Sequence, residues 1–121
     1  MKIIDLIYSL KELQLSAEFS HWITRSEPRH RALEKLYTEL RDETDKLVEC
    51  SIGSGFIGPV SSFHSTHINL DLDNSIEDLI SRNLDLLKRG AKQLSDQEEL
   101  QDIIYDIMNL LNKTMYILTL S

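Results

Sequence analysis

An all-α fold, specifically a four-helix bundle, is predicted by three observations. The 121 residues include only four Gly and two Pro, so helix breakers are scarce. Apolar residues recur at three- and four-residue steps along four long segments, the period of an amphipathic helix. One stretch, 51–74, holds three of the four glycines and divides the segments into two pairs. The length suits one domain, 1–121, which hides roughly two thirds of its unfolded surface.

The first segment, 2–23, carries Ile3, Leu6, Ile7, Leu10, Leu13 and Ala17 on one face. Thr24-Arg25-Ser26-Glu27-Pro28 interrupts it; Ser26 suits an N-cap and Pro28 the first turn of the next helix. Residues 28–50 then run without Gly or Pro through Leu33, Leu36, Leu40 and Leu47. The short connection makes this second helix antiparallel to the first. Residues 51–74 are long for a loop and fit a crossover that returns along the bundle. A third helix is expected after an Asp73 or Asn74 cap, carrying Ile76, Leu79, Ile80, Leu84 and Leu87 and ending near Gly90. A fourth opens at Ser95, with Glu98 at capping-box spacing, and runs through Leu100, Ile104, Ile107, Met108, Leu111 and Met115 to Leu118.

Charge and cysteine usage exclude several functions. Thirteen Lys+Arg against 20 Asp+Glu give −7, which argues against a basic face for nucleic acid; direct DNA binding is not expected. The single cysteine, Cys50, excludes an internal disulfide and a Cys-rich zinc site. It suits a reducing compartment, and a cytoplasmic location is expected. No apolar run is long enough for a membrane span, and Asp5 interrupts any signal-peptide core.

The informative spacing lies on the second helix: His30-x3-Glu34-x10-Asp45-x3-Glu49. Relative to His30 these fall at ~0°, ~40°, ~60° and ~100°, one stripe. Imidazole with carboxylates is a transition-metal ligand set. His30 and Glu49 are separated by about 28 Å of helix, so one ion cannot reach both. The stripe therefore divides into His30/Glu34 and Asp45/Glu49. A two-fold axis through the middle of an antiparallel pair of second helices would set one half-site against the partner's other half. His21, across the short turn from His30, joins the first half.

These residues resemble the Dps-like ferritins of the ferritin-like superfamily. The resemblance rests on His21-Trp22 at the end of the first helix, His30-Arg31-Ala32-Leu33-Glu34, and Asp45-Lys46-Leu47-Val48-Glu49. Helix, short turn, helix, long crossover, helix, short turn, helix is also the ferritin-like wiring. The resemblance implies a ferroxidase centre for iron (Fe2+/Fe3+), with other divalent metals as alternative occupants. His21, His30 and Glu34 would come from one subunit, Asp45 and Glu49 from its partner, and Trp22 would stand beside the centre. It implies iron oxidation, storage and peroxide protection in a homodimer through the second helix, with a larger shell beyond. The competing expectation is a metal-free ferritin-like scaffold, motivated by the short His21–His30 interval.

Weaker signals are read as structural. Glu18-x2-His21 and Glu27-x2-His30 match a di-iron spacing, but the last two helices have no Glu-x-x-His to complete it. His64 and His67 fit surface loop histidines, Cys50 a small, partly buried side chain, and Met108 and Met115 core packing.

Overall fold

The computed structural model describes residues 2–58, 68, 70 and 72–121. They form α1 (Ile3–Ile23), α2 (Glu27–Gly53), α3 (Ile76–Gln93) and α4 (Glu98–Thr119), with no strand among the described residues. The fold is an all-α four-helix bundle. His64 and His67 lie outside the described residues.

The helix ends show which local signals operate. Ser26 caps α2, its Oγ accepting the Arg29 N–H at 3.2 Å, and Pro28 sits in the first turn. The second helix runs three residues past the expected stop at Cys50. It closes where Gly55 takes φ 77° and the Ser51 carbonyl accepts the Phe56 and Ile57 N–H groups. The α3 cap is Ser75 rather than Asp73 or Asn74; its Oγ takes the Asp78 N–H at 3.1 Å. Gly90 does not end α3, which continues to Gln93. Gly90 and Ala91 are buried, and Gln101 of α4 donates to the Ala91 carbonyl at 2.8 Å. The tertiary contact overrides the glycine. Nor does Ser95 open α4. Leu94 is fully buried and its carbonyl accepts the Gln97 N–H, so Ser95 lies within the turn and Gln97 takes the cap position without a side-chain cap bond.

Each helix packs chiefly on two neighbours: α1 on α2 and α3, and α4 on α2 and α3. Leu6, Leu10 and Leu13 of α1 meet Leu33, Leu36, Leu40 and Leu47 of α2, Ile80 and Leu87 of α3, and Leu100 and Ile104 of α4 in one core. Met108 and Met115 pack against it, half-buried. Arg29, in the first turn of α2, makes a two-pronged contact with Glu77, in the first turn of α3, at 3.1 and 2.8 Å. These helices therefore start at the same end. Hydrogen bonding to each other holds the Glu77 carboxyl below its ordinary value and raises the guanidinium. The start of α4 lies beside Cys50 and Ser54 at the far end of α2. No described helix is long and apolar enough to cross a membrane.

Candidate metal centre

The short α1–α2 turn brings three of the five expected ligands together. His21 ends α1, and His30 and Glu34 lie on the first turns of α2, four residues apart and so on one face. One ligand atom from each lies within 4.8 Å of the other two. His21 is buried and its Nε2 stands 3.9 Å from Glu34 Oε2, while the Glu34 side chain is 57% exposed. The cluster thus has a closed floor and an open mouth.

Hydrogen bonds fix what the two imidazoles present. His30 Nδ1 lies 2.8 Å from the His21 carbonyl, and His21 Nδ1 lies 3.3 Å from the Glu18 carbonyl. A carbonyl only accepts, so each Nδ1 carries a proton, and in the neutral imidazole each Nε2 then keeps its lone pair. His30 also satisfies one of the carbonyls that the last turn of α1 leaves without a helical partner. The two rings stack at 4.1 Å and 30°, so they approach as one unit.

This donor set fits a divalent transition ion. Two imidazoles and a carboxylate suit iron, zinc or cobalt, and backbone-tethered Nδ1 groups are how proteins orient such ligands. Two ligands on one ion at ~2.1 Å are at most ~4.2 Å apart. The 3.9 Å pair already satisfies that bound, and with all three atoms within 4.8 Å of one another no separation needs to close by more than about 0.6 Å. Glu34 is exposed enough to make that movement.

Asp45 and Glu49 are exposed on the same helix and do not join the cluster within the chain. The Glu34-to-Asp45 interval is about 16 Å of helix rise. Trp22 is 60% exposed, with its ring 6.4 Å from His21 and 5.1 Å edge-on to Phe19. Glu27, expected as a weak di-iron element, instead pairs with Arg31 at 2.8 Å. Cys50 is exposed, not partly buried; the next residue, Ser51, takes the buried position instead. Tyr37 escaped the sequence reading. Its ring packs edge-to-face with that of His21 at 5.2 Å. The signal was present, since Tyr37 lies seven residues after His30 and so on nearly the same face.

Comparison with known proteins matches the chain to a family profile. The profile described as a family of unknown function, DUF5856, covers residues 21–118, which include the whole candidate centre and most of the bundle. No curated protein and no solved structure matches the chain.

Proposed function

We propose, for a chain that belongs to the family of unknown function DUF5856, that it binds a divalent transition metal through His21, His30 and Glu34. The observation that carries this reading is the paired Nδ1 anchoring, which in the neutral rings frees both Nε2 atoms beside one exposed carboxylate. In its sharper form the protein is a Dps-like ferroxidase with ferritin-like wiring, and ferrous iron is its substrate. Asp45 and Glu49 of a second copy would then complete each centre across a two-fold axis.

The chain's own groups have defined tasks in that scheme. His21 and His30 hold the ion from the closed side with a fixed tautomer. Glu34 swings to neutralise its charge and leaves positions open toward solvent, where peroxide enters. Two ferrous ions would each give one electron to one peroxide, which takes up two protons and leaves as two waters while both ions become ferric. Tyr37 and the stacked rings exclude water from the rear of the site.

A second reading has an observation of its own. Both imidazoles bond to carbonyls at the end of α1, a fastening that an entirely structural corner also needs. The metal-free scaffold therefore competes directly.

Anaerobic titration of the apoprotein with ferrous iron, followed by peroxide and ferric absorbance, separates the two. Wild type should bind saturably and oxidise iron, and the His30→Ala/Asp45→Ala variant should not. Absence of saturable binding in wild type, or equal behaviour of the variant, leaves the scaffold reading. A variant that binds iron yet oxidises it slowly would place Asp45 in the chemistry alone.

A further inference from the structure

The mouth of the His21–His30–Glu34 cluster has a flank that metal binding alone does not use. Going round α1 from His21, the buried Leu10, Leu13 and Ala17 lie between ~280° and ~340°, and Trp22 lies at ~100°. Going round α2 from His30, the buried Leu33, Leu36 and Leu40 lie between ~240° and ~300°, and Glu34 lies at ~40°. The order on both helices is core, histidine, outer residue. The helices run antiparallel, so both turns emerge on the same outer side of the α1–α2 seam. The histidines form the floor there, with Glu34 on one flank and Trp22 on the other.

Trp22 stands on that flank as a braced platform. Phe19, one turn earlier, meets its ring edge-on at 5.1 Å and 69°, yet Trp22 remains 60% exposed. Its ring centre is 6.4 Å from that of His21, so a flat group reaching the histidines from solvent passes over the indole. A tryptophan held in one orientation gives up little conformational freedom when a second ring stacks on it. Ile23, the next residue, is 74% exposed and extends the apolar edge.

Electrostatics select the charge of what fits. Glu34 is the single carboxylate of the cluster, because Glu18, one turn before His21, does not join it. A divalent ion held by two neutral imidazoles and one carboxylate keeps one net positive charge. Two histidines and a carboxylate also leave such an ion open coordination positions. An anion offering two oxygens answers both needs. Water answers neither the charge nor the exposed indole.

We infer that the cluster takes a small aromatic anion, which chelates through two oxygens and lays its ring on Trp22. This inference rests on the metal reading of His21, His30 and Glu34, and not on its ferroxidase form. Glu34 and the histidines supply the grip, and Trp22 supplies the preference for an aromatic body over an aliphatic one.

Cobalt spectroscopy on the full chain tests it. The protein is loaded with Co2+, then titrated with benzohydroxamate or acetohydroxamate, which share the chelating head and differ in the ring. The visible Co2+ bands report each ternary complex. After correction for affinity toward free Co2+, benzohydroxamate should bind about tenfold more tightly than acetohydroxamate. In Trp22→Ala that ratio should fall to about one, and Trp22→Phe should restore most of it. Bands that neither hydroxamate moves mean that the coordination is already complete, which overturns the inference and leaves the metal reading standing. A ratio that Trp22→Ala leaves intact overturns it too, as does loss of Co2+ from the chain in place of a ternary complex. A wild type that binds no Co2+ sinks the metal reading itself, and this inference with it.

Discussion

Replacing His30 by Asn separates the fastening role of this side chain from its ligand role. The Asn amide places an N–H close to where Nδ1–H stands, so the 2.8 Å bond to the His21 carbonyl is retained. What disappears is Nε2 and the ring that stacks on His21 at 4.1 Å. An aromatic contact contributes about 0.5–1.5 kcal/mol, so apoprotein stability should fall by about 1 kcal/mol. His30→Ala also removes the hydrogen bond and should lose about a further 1 kcal/mol. Metal response moves far more. An ion at 100 times its dissociation constant stabilises the folded chain by about 2.7 kcal/mol. If losing one of three ligands weakens binding about 100-fold, the same ion concentration stabilises by only about 0.4 kcal/mol. At this chain length, thermal unfolding with Co2+ should show an upward shift of roughly 10 °C in wild type and about 1–2 °C in His30→Asn. An equal shift in both proteins, or none in wild type, refutes the assignment of Nε2 as a ligand.

Other expectations follow from single contacts. Thr44 is fully buried and its Oγ1 has no partner among the described residues, so Thr44→Val should raise stability by about 1 kcal/mol in urea unfolding. Ser26→Ala and Ser75→Ala remove the caps of α2 and α3, and each should cost about 1 kcal/mol by the same assay. The Glu77 carboxyl is held below its unfolded value by Arg29, so that pair stabilises above the unfolded pKa and the effect fades as pH falls through the lowered one. Both side chains are partly exposed, at 27% and 40%, which limits the contribution to about 1 kcal/mol. Glu77→Gln should therefore lower stability at pH 7 and flatten its loss under acid. Leu40→Ala, at a fully buried site, should cost about 2–5 kcal/mol.

Much of the helix layout was legible because burial repeats with the helical period. Leu33, Leu36, Leu40 and Leu47 were expected on the core face of the second helix, and all are fully buried. The ends were less legible where several residues could serve. Asp73, Asn74 and Ser75 can all cap, and only the chain's path selects Ser75. Gly90 carries a stop signal that burial against α4 cancels. At the candidate centre, the periodicity of α2 placed His30 and Glu34 together, and the short turn added His21. The tautomers were not legible, because they depend on two backbone carbonyls that no residue identity announces. Tyr37 was visible in the pattern, yet an aromatic at helical spacing reads first as core.

The Arg29–Glu77 contact bears on the order in which the chain assembles. It joins residues 48 apart, whereas the Gln101–Ala91 bond within the α3–α4 pair spans ten. Closing the longer loop costs about 1.4 kcal/mol more in chain entropy, so the two local hairpins gain structure first and the link between them comes late. Variants at Arg29 or Glu77 should then accelerate unfolding while leaving the refolding rate nearly unchanged. The clamp acts as a latch on an assembled bundle, and its worth lies in how long the native state persists.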